Sequence, residues 1–177
     1  LTDIPECYNM PRQQLPKVYY QNACIDIFRP RCIWQYQSMT GKYILGYEME
    51  QNFDIDTEEE FRSAAQYLKI MQGGQRFVFD IDGVIAQFDE TLDYANSKPR
   101  EEMVRVIQKL HAYGNSIVLH TARGYVTGMD WREVTEEQMK RFGVPYDELH
   151  FGKPNADYYV DDKMMDMEQL LRLFGEK

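Results

Sequence analysis

In the second half of the chain, short apolar runs alternate with stripes of apolar residues at helical spacing. That alternation predicts an α/β domain built on a parallel sheet. Strands are expected at residues 76–80, 116–120, 148–151 and 158–160. Helices are expected at 100–113, 135–142 and 166–174. Pro99 opens the first of these helices, Met103, Val106, Ile107 and Leu110 form its buried face, and Gly114 closes it. Thr135 is the expected cap of the second, with Gly143 behind it. The first half reads differently. Residues 1–16 carry Pro5, Pro11 and Pro16 and predict irregular, extended backbone. Strand candidates follow at 18–20, 24–28 and 42–47, with a turn at 38–41 between the last two. A helix then starts at Asp56 or Thr57. Glu58, Glu59 and Glu60 suit its positive end, and its expected apolar stripe is Phe61, Ala64, Ala65 and Leu68. Gly73 and Gly74 end it and predict a domain boundary, giving segments 1–72 and 75–177.

Chemistry-bearing residues sit just after the apolar runs, at the carboxyl ends of the predicted strands, where open α/β sheets bind ligands. Asp80 and Asp82 follow Phe77-Val78-Phe79, Thr121 follows Ile117-Val118-Leu119-His120, Lys153 follows 148–151, and Asp161-Asp162 follow Tyr158-Tyr159-Val160. A carboxylate such as Asp80 can attack phosphorus and form an acyl phosphate. Asp82, two residues on, can protonate the leaving oxygen and then deprotonate water. Gly83 lets the backbone bend close to a phosphate. Thr121 offers a hydroxyl and an amide to phosphoryl oxygens, and Lys153 a point charge. Asp80 with Asp161 or Asp162 offers oxygen ligands to a hard divalent cation, for which Mg2+ is the natural candidate. Each feature alone has an ordinary structural explanation: an Asx turn at 80–82, a helix-capping acid pair at 161–162, an exposed lysine at 153. Their joint order favours the site.

Residues 75–177 resemble a haloacid dehalogenase-type phosphatase, whose four motifs stand in order as Asp80-x-Asp82-Gly83-Val84, Thr121, Lys153 and Asp161-Asp162. The resemblance implies a doubly wound, Rossmann-like parallel sheet. It also implies Asp80 as nucleophile, Asp82 as acid/base whose carbonyl ligates Mg2+, Asp161 as direct metal ligand and Asp162 in an outer role. Only 38 residues separate Asp82 from Thr121 and 31 separate Thr121 from Lys153, so no sizeable cap is expected. Residues 86–99, with Phe88, Asp89 and Tyr94, and residues 124–131, with Ala122 and Arg123 just before them, are the candidate substrate contacts. Trp131 reads equally as a contact or a structural plug.

The first 70 residues carry a second resemblance. Leu15-Pro16-Lys17-Val18-Tyr19-Tyr20-Gln21-Asn22 and, further on, Asp54-Ile55-Asp56-Thr57 are similar to the C-terminal end of acylneuraminate and related sugar-acid cytidylyltransferases. Ala23 stands where that family often has Gly. The resemblance implies metal-holding roles for Asp54 and Asp56, which read equally as helix N-terminal acids. The nucleotide-binding half of that family is missing, so residues 1–72 are expected to serve assembly in a homo-oligomer. Leu1 in place of Met points to a piece of a longer, bifunctional protein.

Composition narrows the substrate. The chain has 177 residues, 44% of them hydrophobic, and 29 acidic against 20 basic residues, for a net charge of −9. Such a balance, without any Lys/Arg run, disfavours nucleic acid. A sugar phosphate of nucleotide-sugar or surface-polysaccharide synthesis is the expected substrate. The alternatives are a polynucleotide or nucleotide phosphatase and a non-catalytic metal-binding assembly module. Cys7, Cys24 and Cys32 read as reduced thiols, His111, His120 and His150 share no ligand spacing, and no apolar run is long enough to span a membrane. Together these predict a cytoplasmic protein.

Overall fold

The structure, a computed structural model, describes residues 19, 24–40, 43–49, 51–87 and 93–175. The chain divides into two compact units, Leu1–Asn52 and Phe53–Lys177. The first contains helix α1 (Arg31–Tyr36), which buries none of its residues and ends at Gln37 in the left-handed conformation. The strands expected at 24–28 and 42–47 do not form among the described residues. Their apolar side chains, Ile27 and Leu45 among them, stay exposed, and an extended run without a partner strand has no ladder to hold it. Of the candidate at 18–20 only Tyr19 is described, and it is not in a strand. Cys7 and most of the 15–22 motif lie outside the described residues.

The second unit opens with helix α2 (Glu58–Met71). Thr57 caps it through a capping box: the Thr57 hydroxyl accepts from the Glu60 amide at 3.2 Å, and the Glu60 carboxylate accepts from the Thr57 amide at 2.8 Å. The hydroxyl and amide donors at Thr57 and Asp56 hold the Glu60 carboxyl below its usual range. The buried face is Ala64, Tyr67 and Ile70, which shares only Ala64 with the expected stripe, since Phe61, Ala65 and Leu68 are exposed. Tyr67 stacks on Phe174 at 5.0 Å and meets Phe53 at 5.2 Å. The boundary therefore falls between Asn52 and Phe53 rather than at Gly73-Gly74, because α2 supplies core residues to the sheet domain. Buried Asn115 locks this junction: its amide donates to the Ile70 and Leu110 carbonyls, and its oxygen accepts from the Gln75 amide at 3.0 Å. Burying Tyr67 and Ile70 contributes about 1.5–3 kcal/mol each. A chain truncated to 75–177 is thus expected to melt well below one truncated to 53–177. Equal melting temperatures in a thermal scan would show that α2 is dispensable.

Strands β1 (Arg76–Phe79), β2 (Ser116–Thr121) and β3 (Glu148–Phe151) form a parallel sheet in the order β1-β2-β3, with Val78 opposite Val118 and Leu119 opposite Leu149. Helix α3 (Glu101–Ala112) connects the first pair, and helix α4 (Arg132–Phe142) the second. Helix α5 (Met167–Phe174), capped by Asp166, closes the chain against α3. The second unit is thus an α/β fold. Its core runs through Ile81, Ile85, Met103, Ile107, Leu110, Ile117, Leu119 and Met139 to Leu170 and Phe174.

Two expectations are corrected. Residues 158–160 are not a strand: Tyr158 is 87% and Val160 98% exposed, and Tyr159 turns its ring onto Lys153. Three apolar residues between Asp157 and Asp161 form no ladder of their own. Helix α4 begins at Arg132, with Trp131 at its cap position, so Thr135 lies one turn inside it and is fully buried. A hydroxyl there can serve another partner. Among the described residues no helix is long and apolar enough to cross a membrane.

Candidate active site

Asp80 leaves β1 where the strand ends on buried Phe79. The next residue, Ile81, is fully buried, so the backbone alternation turns Asp80 and Asp82 to the opposite side. One Asp80 oxygen accepts from the Ile81 amide at 2.9 Å, and the other is paired with the Lys153 ammonium at 2.8 Å. The chain then folds back on itself: the Ile85 and Ala86 amides both reach the Ile81 carbonyl at 2.9 Å, and the Gly83 amide reaches the Ala86 carbonyl at 2.8 Å. Gly83 has φ +88°, a conformation that disfavours any side chain. Ile85 and Ala86, both fully buried, anchor this loop in the core. The two aspartates therefore stand on a rigid support.

At the end of β2, Thr121 is fully buried, and its hydroxyl accepts from the Arg123 amide at 3.1 Å. The Lys153 amide donates to the Thr121 carbonyl at 3.2 Å, which places the residues after β3 beside those after β2. Parallel pairing thus brings Asp80, Thr121 and Lys153 to the carboxyl end of the sheet. Lys153 also lies 4.1 Å from the centroid of the Tyr159 ring, whose hydroxyl donates to the Pro154 carbonyl. Burial, then the charge of Lys153, holds His120 below its ordinary pKa and so neutral at physiological pH.

Arg123 differs most from its expected role. Its side chain is 0% exposed and forks onto Asp82, Nε to one oxygen at 2.8 Å and Nη2 to the other at 2.6 Å, while Nη1 donates to the Thr135 hydroxyl at 3.0 Å. The Tyr94 ring covers the guanidinium at 4.1 Å and meets Trp131 edge-on at 5.0 Å. Arg123 is therefore a holder of Asp82 rather than a free substrate contact. Trp131 is at once a packing partner of Tyr94 and part of the cavity wall. Burial, then the charge of Asp82, pushes the Tyr94 phenol up, so it stays a protonated donor. Gln138, buried in α4, holds this loop by donating to the Tyr94 carbonyl at 2.7 Å and to the Ser97 hydroxyl.

These groups surround a cavity of about 370 Å3 whose wall includes Asp80, Asp82, Ala122, the Arg123 backbone region, Tyr94, Trp131 and Tyr159. Gly83 and Thr121 support the site from behind the wall. Phe88 and Asp89 lie outside the described residues. Asp161 and Asp162 are exposed and do not line the cavity. The Asp161 carboxylate accepts from the Lys163 amide at 2.9 Å, and that bond, then one with Asp162, holds its pKa below the usual range. Asp54 and Asp56 are exposed residues ahead of α2.

Among the described residues no group of three or more His, Cys, Asp or Glu side chains forms a ready cage for a metal. Mg2+ does not need one, since it takes one or two carboxylates and fills its octahedron with waters and substrate phosphate. Asp80 and the Asp82 main-chain carbonyl are hard oxygen donors of the kind it takes, while the Asp161 carboxylate stands exposed outside the cavity wall.

The sequence pattern did not reveal Thr135, Tyr159 or Gln138 as site supports. Tyr159 alone had a signal, its place two residues before Asp161.

No known family matches the chain, and no curated protein does. A crystal structure of a target protein from Vibrio cholerae is similar to it at 28% identity over 56% of this chain and 96% of that one, with a TM-score of 0.49.

Proposed function

We propose that the second unit is a Mg2+-dependent phosphomonoester hydrolase that works through an aspartyl-phosphate intermediate and acts on a sugar phosphate. One observation carries this reading. Asp80 stands at the carboxyl end of β1 facing a cavity, with one oxygen on a backbone amide and the other on Lys153, and a second carboxylate two residues away is fixed by a buried arginine. The motif order that resembles the haloacid dehalogenase-type phosphatases, the doubly wound sheet of that type and the absence of a cap belong to the same proposal. So does a role for residues 1–72 in assembly beside nucleotide-sugar synthesis.

Asp80 attacks phosphorus as the bond to the substrate oxygen breaks. Asp82 gives its proton to that oxygen, so the product leaves as a neutral alcohol. Arg123 uses one lone pair on each Asp82 oxygen and leaves another pair for the proton. Water then gives its proton back to Asp82 and attacks the phosphoryl group, releasing phosphate and the Asp80 carboxylate. Lys153 offsets negative charge beside Asp80 throughout. Asp80, the Asp82 carbonyl and Asp161 would hold Mg2+, which supplies charge to the phosphoryl oxygens.

The test is hydrolysis of p-nitrophenyl phosphate against Mg2+ concentration. Asp161→Ala is expected to raise the Mg2+ needed for half-activation by more than about 10–100-fold, the scale on which losing an outer-shell partner weakens a metal site, with the milder effect of Asp162→Ala falling within that range. The reverse order would exchange the two roles.

A further inference from the structure

Resting on the phosphatase reading, we infer that the cavity takes a sugar monophosphate whose non-phosphoryl part is uncharged or cationic, and that it discriminates against carboxylated sugars. The inference comes from the charges on the cavity wall. Three carboxylates line it, Asp80, Asp82 and Asp93, and among the described lining residues the one cation is Arg123. That guanidinium has no exposed side-chain surface, and its donors point at Asp82 and Thr135 beneath the Tyr94 ring. Lys153 is committed to Asp80. The phosphoryl group of a substrate has these charges to face, but among the described lining residues a second anion on the substrate finds no further cation.

The rest of the wall suits a pyranose. Gln87, Thr127 and Asn155 bring amides and a hydroxyl to the wall that suit ring hydroxyls, and Tyr94 and Trp131 give an aromatic surface for the C–H face. The Asp93 carboxylate, which accepts from the Asn96 side-chain amide at 2.8 Å, belongs to the same wall. A carboxylate on the sugar would be desolvated beside like charge with no partner, whereas an amine would find one.

Three substrates that share one ring and one phosphate isolate the effect: α-glucose 1-phosphate, glucosamine 1-phosphate and glucuronic acid 1-phosphate, with p-nitrophenyl phosphate as common reference. The expected kcat/KM for the glucuronic acid ester is at least about tenfold below that for the glucose ester, a gap of about 1.4 kcal/mol, with glucosamine 1-phosphate equal to or better than glucose 1-phosphate. Equal or faster turnover of the glucuronic acid ester overturns the inference. So does hydrolysis of p-nitrophenyl phosphate with none of the three sugars, and in either case the phosphatase reading stands. Inactivity toward all four removes the phosphatase reading and this inference with it.

Discussion

Replacing Asp80 by Asn is expected to lower turnover of p-nitrophenyl phosphate by about three orders of magnitude or more, which corresponds to about 4 kcal/mol of transition-state stabilisation. The amide keeps the shape of the side chain and can still accept from the Ile81 backbone at the position now 2.9 Å away. It loses the nucleophilic charge and the ion pair with Lys153, now 2.8 Å long. Folding should change little, because this side chain is partly exposed and its support comes from Ile81, Ile85 and Ala86 in the core. The measurement is a steady-state rate beside a thermal melt. A variant that hydrolyses at a near-native rate would remove Asp80 from the chemistry.

Arg123→Met is expected to damage stability and activity together. The substitution leaves Asp82 without its fork and the buried Thr135 hydroxyl without its donor. Breaking a buried pair from one side costs about 3–5 kcal/mol. The lower part of that range is expected here, because the Asp82 side chain is 25% exposed and regains some water. Arg123→Lys should recover only part of the loss, since an ammonium is a point charge without the planar fork. Urea unfolding of the two variants checks this. If Arg123→Met unfolds at the wild-type urea midpoint, the guanidinium is not what holds the loop that carries Asp82.

Much of the sheet domain is legible in the sequence because its signals are local. The apolar run before Asp80, the stripe on α3 and the cap and acidic first turn of α2 each depend on residues within about one turn or one strand of each other. What the sequence hides depends on distant partners. Helix α2 carries two apolar faces, and only the position of Phe174 and Phe53 decides that Tyr67 and Ile70 go inward while Phe61 and Leu68 stay out. Arg123 reads as a free cation near a phosphate site until the fold sets Asp82, Thr135 and Tyr94 around it, at sequence separations that no motif spacing encodes. Residues 158–160 have strand-forming composition but pair with no strand among the described residues, and Tyr159 packs its ring on Lys153 instead. In the candidate site, the positions of Asp80, Asp82 and Lys153 follow from strand ends, while the order of support behind them follows from packing.

The central claim is a covalent phosphoryl-Asp80, and trapping it is the most direct test. Asp82→Asn should slow attack by water, which needs a base, while p-nitrophenolate leaves without needing a proton, so the acyl phosphate should accumulate in that variant. Enzyme mixed with p-nitrophenyl phosphate and Mg2+, quenched in acid and digested, is then examined by mass spectrometry. One phosphoryl group is expected on the peptide that contains Asp80, absent when Asp80 is also replaced by Asn. Phosphorylation of a different side chain, or continued hydrolysis with no adduct on Asp80, would contradict it.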